Sequence, residues 1–293
     1  MNMISIWVRS NRRLVLAALF LLLAAAPAAL RAQSSGPMKP PDSAKFPTPP
    51  PPNKPEAPAV PPEEIIRRFA AKEDEMIHAI RGYTFQKSVR VEEIGPGNKT
   101  AGQLEVTTQQ RISPDGKLFE KPVSREASTL KYLDLQRGDS DLVAQAPMFP
   151  LSTAMLPKYE ITFGGKQPLD DLSVYYFTIK PRALERAHAY FSGVVWVDEQ
   201  DFVIVKMMGK WVTETGDVTS SNLPFSVFET YRQQVGNNLW FPAYARSDET
   251  YQSGDESVPI RIIIKWTNYT PQSNAPAADY PAPSAPADSP KNP

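Results

Sequence analysis

Thirty-one prolines divide this chain of 293 residues into parts that can fold and parts that cannot. Twelve fall between Pro37 and Pro62, seven between Pro271 and Pro293, and one is Pro27, which leaves eleven for the residues from Glu63 to Thr270. Proline fixes φ and donates no amide, so it cannot be packed at flank density into a helix or a sheet ladder. The flanks are therefore expected to be an extended proline-rich linker (33–62) and a disordered tail (271–293), with one folded domain at 63–270. About 200 residues suffice for a substantial core in a single domain.

The N-terminus reads as an address. Arg9, Arg12 and Arg13 precede an uncharged run from Leu14 to Leu30, and Arg31-Ala32-Gln33 follows. A basic front, an apolar middle and a small residue at the cut describe a secretory signal peptide at 1–32, cleaved near Ala32. An uncleaved anchor helix is the alternative, although the run contains Pro27 and is shorter than the roughly 20 apolar residues that span a bilayer. The expected location is periplasmic or otherwise exported. The chain has no cysteine, which excludes disulfides, thiolate metal sites and thiol nucleophiles. Basic and acidic side chains balance at 32 each, and no stretch is basic enough to follow a phosphate backbone, so no nucleic-acid partner is expected.

Within the domain the hydrophobic period changes once. Ile65, Ile66, Phe69, Met76, Ile77 and Ile80 recur at spacings of three and four, which predicts an amphipathic helix over 63–81, entered through Pro61-Pro62 and ended at Gly82. From Tyr83 the period is two: Tyr83, Phe85, Val89 and Val91 alternate with Thr84, Gln86, Ser88, Arg90 and Glu92. The Gly95–Asn98 and Ser113–Gly116 stretches predict turns, with a second strand between them and a third over Leu118–Val123. Glu126–Leu135 is ambiguous between strand and helix, and Pro147–Leu156 suggests a short helix. Strands are expected near 172–180, 189–197, 202–213, 225–235, 239–249 and 258–269. The short connectors make them an antiparallel meander, with the helix as cover for one face.

Chemistry-bearing patterns are scarce. His78 and His188 are the two histidines, and neither has another His or a Cys nearby, so no metal-ligand spacing of that kind appears. No nucleophile elbow, phosphate loop or dinucleotide fingerprint occurs. Asp198, Glu199 and Asp201 form the acidic cluster most suited to a cation, yet they lack the glycine and glutamate of a calcium loop and read as a solvated hairpin turn. No catalytic residue, metal or cofactor is expected, and the chain is read as non-enzymatic; a hydrolase whose groups meet only in space is the remote alternative. The strands, by contrast, are greasy and aromatic. Trp196, Trp211, Trp240 and Trp266 all fall in them, and 202–208 and 260–266 are apolar on both faces. Either aromatics shield a filled sheet, or the sheet encloses an apolar cavity in which Met148, Met155, Met207 and Met208 supply adaptable lining.

The segment Gly193–Trp211, GVVWVDEQDFVIVKMMGKW, resembles the hairpin of the LolA/LolB-type periplasmic lipoprotein carriers and their outer-membrane lipoprotein-sorting relatives. The match rests on Gly193, Trp196, Val197, Asp198 and the partner strand Phe202–Met208, and the run Met155–Pro181 ahead of it is similar to exported proteins of that group. The resemblance implies an α+β fold: a curved antiparallel β-sheet, an unclosed half-barrel, with an N-terminal amphipathic helix and short lid helices, holding a lipid or acyl group. It also implies an arginine that latches the lid, which the sequence does not single out.

The expected function is a non-enzymatic, exported lipid- or lipoprotein-binding module. Each buried methylene contributes ~0.8 kcal/mol, so an acyl chain can be held without a charged group. The candidate lining residues are Phe85, Val89, Val194, Trp196, Ile262, Ile264 and Trp266, with the choice of sheet face left open. Expected partners are a hydrophobic ligand such as a lipid acyl chain, lipoproteins or envelope proteins. The alternative is an envelope interaction or sensor domain with the same sheet, a filled core and no ligand.

Overall fold

A computed structural model describes residues 58–272 except 136–145, 187, 215–226, 237 and 254. The expected signal peptide, the bulk of the expected linker and the expected tail lie outside the described residues. Helix α1 runs Pro62–Ile80 and ten strands follow: β1 Tyr83–Gly95, β2 Lys99–Ile112, β3 Leu118–Arg125, β4 Tyr159–Leu169, β5 Leu172–Pro181, β6 Tyr190–Asp198, β7 Ile204–Val212, β8 Phe228–Val235, β9 Leu239–Ser253 and β10 Glu256–Pro271. They form one antiparallel sheet in the order β3-β2-β1-β10-β9-β8-β7-β6-β5-β4. The ends do not meet, so the sheet is a curved, unclosed half-barrel.

α1 forms where the periodicity predicts. Proline occupies its first turn, and Glu63 and Glu64 sit at the positive end of the helix dipole. Its buried stripe is Ile65, Phe69, Ala70, Glu73, Met76 and Ile80. The strand expectations near 172–269 are met within a few residues. β3 extends to Arg125, two residues beyond the expected end. β4 was not expected, because Gly164, Gly165 and Pro168 break its alternation. The Pro147–Leu156 helix is corrected to a single 3-10 turn at Thr153–Lys158: Pro157 carries no amide for a longer helix.

Glu126–Leu135 is neither strand nor helix. It is a strap tied to β2 by Glu126 N–H donating to the Glu105 carbonyl and Thr129 N–H to the Gln103 carbonyl. The buried Glu93 carboxylate accepts the backbone N–H groups of Lys131, Tyr132 and Leu133 at 2.7–3.0 Å. One acidic side chain thereby satisfies the amides of a segment that has no ladder of its own.

Register assigns every strand residue a side. Val106, Val89, Ile264, Ala245, Thr230, Met207, Val195, Phe177 and Phe163 form one continuous row from β2 to β4. This is the side covered by α1: Phe69 meets Phe177 edge-on at 5.6 Å, and Met76 and Ile80 pack in the cluster that holds Val89 and Ile264. The neighbouring row on the reverse side reads Glu105, Arg90, Ile263, Arg246, Glu229, Met208, Val194, Thr178 and Thr162.

The Gly193 of the hairpin motif has a packing reason. It faces Gly209 across β6 and β7, and a Cβ at Gly193 would stand 2.1 Å from the Met208 carbonyl oxygen. No side chain larger than hydrogen fits there without moving backbone. At the two edges of the sheet, β3 carries Lys121 and Pro122, while β4 carries Pro168 and a bulge at Gly165 with φ 141°.

Candidate ligand-binding interior

The interior lies between α1 and the row of apolar residues just traced. Five of the expected lining residues, Phe85, Val89, Ile262, Ile264 and Trp266, share that side through β1 and β10 and are 0–5% exposed. The other two do not join them there. Trp196 pairs with Lys206 and Val194 with Met208, which places both on the reverse side. All seven belong to or pack against one hydrophobic cluster, but the strand alternation separates them into five and two. The sequence reading mixed the sides because β6 is apolar at successive positions, so its pattern carries no facing information. Met207 faces the interior and Met208 the reverse side, while Met148 and Met155 are half-buried beside the two clusters.

Aromatic rings close one end. Tyr83 and Phe241 stand 5.3 Å apart, Phe241 and Tyr269 5.1 Å, and Tyr269 and Phe85 5.2 Å. The Tyr269 hydroxyl donates to the Pro242 carbonyl at 2.7 Å, and burial pushes its pKa well above the ordinary tyrosine value.

The polar core of the interior was not anticipated. Arg232 of β8 and Glu73 of α1 are each 1% exposed and form a bidentate pair, Nη1 to Oε1 at 2.5 Å and Nη2 to Oε2 at 3.1 Å. Nη2 also donates to the Met148 carbonyl at 2.6 Å, and the guanidinium lies 4.7 Å from the centre of the Phe149 ring. Arg232 thus joins the sheet, the helix and the 146–151 segment at one point. The available signal was Glu73, a carboxylate in register with the apolar stripe, four residues after Phe69 and three before Met76.

Four buried polar atoms on the strands around Arg232 have no hydrogen-bond partner among the described residues: Thr230 Oγ1, Arg232 Nε, Trp240 Nε1 and Trp266 Nε1. They come from three adjacent strands, β8, β9 and β10. The Trp240 backbone N–H is satisfied by Met76 Sδ at 3.1 Å, so only its indole is left over.

The reverse side carries a charge lattice. Asp248 accepts from Arg246 Nε at 2.7 Å and Arg261 Nε at 2.8 Å, Arg90 pairs with Glu105 at 2.6 Å, and Lys206 pairs with Glu229 at 2.5 Å. Lys206 Nζ also lies 4.9 Å from the ring centres of both Trp196 and Tyr231. That contact explains the near-complete burial of Trp196: it packs against a paired lysine rather than lining the interior. Burial, with Glu229 adding to it, pushes the Tyr231 hydroxyl up, so it stays protonated and donates to Glu229 at 2.9 Å.

Burial raises the Asp248 carboxyl, but the hydrogen bonds from Arg246 and Arg261 outweigh it and hold the group below its ordinary value. A carboxyl lowered in the folded chain stabilises above its unfolded pKa and loses that contribution as pH falls through the folded one. We expect Asp248→Asn to be less stable than wild type at neutral pH and to converge with it below about pH 4, as read from urea midpoints across that range. Parallel curves at all pH values would show that Asp248 takes no part in acid unfolding.

The histidines are remote from all of this. Both are exposed; the His188 ring Nδ1 lies 3.0 Å from the Arg186 carbonyl oxygen, and its backbone N–H donates to the Glu185 carbonyl. Asp198 accepts from the Gln200 and Asp201 amides at 3.0 and 2.8 Å, the turn role expected of it. Among the described residues no group of three His, Cys, Asp or Glu side chains could hold a metal ion, and no helix is long and apolar enough to cross a membrane.

The class defined by this fold and site is a half-barrel with a helix-covered apolar interior. No protein-family model matches the sequence, and no curated protein matches it. Among solved structures, the chain is similar to a DUF1329 family protein from Desulfovibrio piger (13% identity, TM-score 0.34, covering 71% of this chain and 95% of that one). It is also similar to a LolA superfamily protein from Nitrosomonas europaea (13%, 0.30, 70% and 94%). A third is a putative outer membrane lipoprotein-sorting protein domain from Vibrio parahaemolyticus (10%, 0.32, 73% and 96%). The resemblance read from the hairpin thus returns among the structural matches, at scores too low to bear on function, which rests on the residues described above.

Proposed function

We propose that this chain is an exported, non-enzymatic binder of a hydrophobic guest, held between α1 and the apolar side of the half-barrel. The observation that carries the reading is the combination of a row across nine strands that is apolar except for Thr230 with a helix joined to the sheet by the buried Glu73–Arg232 ion pair. Contacts between apolar surfaces are non-directional, so an acyl chain can replace α1 side chains against Val89, Ile262 and Ile264 without stranding a backbone polar group. Arg232 serves as the latch, because releasing α1 requires separating it from Glu73 and the Met148 carbonyl. In this reading residues 1–32 direct export, 33–62 tether the domain, and the working compartment is the periplasm.

The burial of Phe85, Ile262 and Ile264 at 0% exposure favours a second reading, an interaction or sensor domain with a filled interior. Organic extraction of protein purified from an exporting host, followed by mass spectrometry, separates the two. The binder yields stoichiometric lipid. Clean protein that also leaves a fluorescent fatty acyl probe unbound sinks the proposal in favour of the filled domain.

A further inference from the structure

We propose that the proline-rich tail folds back along the sheet and lodges in a polar cleft on its reverse side, with the Asp279 carboxylate meeting Lys121. This docking is independent of whether the interior takes a guest.

The cleft measures about 440 Å³ and brings together Thr84 of β1, Gln109 of β2, Lys121 and Val123 of β3, and Asn268 and Thr270 of β10. It opens away from α1: Thr84 alternates with the inward Phe85, and Gln109 pairs with Gln86 on one side and Lys121 on the other. Lys121 is the one charged residue in the lining, and it forms no ion pair among the described residues. Gln109 gives an amide hydrogen to the Phe85 carbonyl at 3.1 Å and Asn268 gives one to Gln86 Oε1 at 2.9 Å, so each keeps a second N–H for an occupant. With the Thr84 hydroxyl and the Lys121 ammonium, the cleft is rich in donors. Pro122 and Val123 add an apolar strip, in which Val123 is 52% exposed.

What fills the cleft follows from where the chain goes next. β10 ends at Pro271, and Gln272, two residues past the lining Thr270, is pinned in place. Its backbone N–H donates to the Gly82 carbonyl at 2.8 Å, and its side-chain amide to the Arg81 and Tyr83 carbonyls at 3.2 and 3.0 Å. Residues 273–293 follow, with six prolines, Asp279, Tyr280 and Asp288. Proline has a carbonyl but no N–H, so this segment offers more acceptors than donors, the complement of the cleft. An open polar cleft holds a free ligand weakly, whereas a tethered one is present at millimolar effective concentration. From β10 to β3 is three strand spacings, about 14 Å. From Gln272 to Asp279 is seven residues, roughly 22 Å when extended. Asp279 therefore reaches Lys121 with little slack, and Tyr280 and Pro281 come down on Pro122 and Val123. Asp288, nine residues further on, would leave a slack loop between. The docked tail covers the exposed valine on the β3 rim.

The chain has no cysteine, so Ser284→Cys carries a single nitroxide label in the full chain. Its paramagnetic broadening is expected to fall on the backbone amides of Gln109, Lys121 and Asn268 and to spare Phe177, far along the sheet on β5. Lys121→Glu and Asp279→Lys should each reduce that broadening about two- to fivefold, and the two together should restore it, as for an exposed ion pair. Both positions are at the surface or in the tail, so neither charge reversal threatens folding. Tenfold dilution should leave the broadening unchanged, because the occupant is tethered. Broadening spread evenly over the sheet, or indifferent to both charge reversals, overturns the proposal. Broadening that disappears on dilution assigns the cleft to the tail of a second copy and overturns it as well.

Discussion

Replacing Arg232 with leucine is expected to lower the unfolding free energy by about 3–5 kcal/mol, because Glu73 is left charged and buried without its partner. Glu73→Leu should cost a similar amount. The double variant should recover most of the loss, since two leucines of comparable volume pack where the pair stood and no charge is stranded. Urea denaturation of the four proteins closes the cycle. Additive losses in the double variant would mean that Arg232 acts through Met148 and Phe149 rather than through the helix. The double variant also separates stability from gating: it keeps α1 packed by apolar contact alone, so a bound lipid should leave it faster than it leaves wild type.

Phe69→Ala is the second large effect, at about 3–5 kcal/mol. The ring is fully buried, meets Phe177 edge-on and carries the centre of the contact between α1 and β5. Truncation leaves a hole that Ile65 and Ala70 cannot collapse into, because the sheet beneath is continuous. The expected result is a lower denaturation midpoint with an unchanged denaturant slope. A loss below about 1 kcal/mol would mean that α1 is not seated on this part of the sheet.

The elements legible in the sequence were those with a clean period. α1 shows 3.6-residue spacing from Ile65 to Ile80, and β1 alternates from Tyr83 to Val91 with Lys87 as the one polar residue in the apolar phase, so both are read correctly. β4 escaped because two glycines and a proline interrupt it. The strap at 126–135 could not be read at all: its amides are satisfied by Glu93, some forty residues earlier, and no local pattern records that. The site divides in the same way. Of the seven candidate residues, five share one side because β1 and β10 alternate, whereas Val194 and Trp196 face the other, which β6, apolar at successive positions, does not reveal. Arg232 could not be singled out from sequence because its partners, Glu73 and the Met148 carbonyl, lie far from it along the chain.

The unpaired margins of the half-barrel have a consequence for life in a crowded compartment. A sheet with two free rims invites other strands to zip onto them, and the greasy strands of this one would make any such stack hard to undo. Each rim lacks an amide where a newcomer would need one, at Pro122 on one side and Pro168 on the other; Lys121 adds charge to the first, and the kink at Gly165 bends the second away. The half-barrel can therefore stay open while both of its rims resist the addition of a further strand.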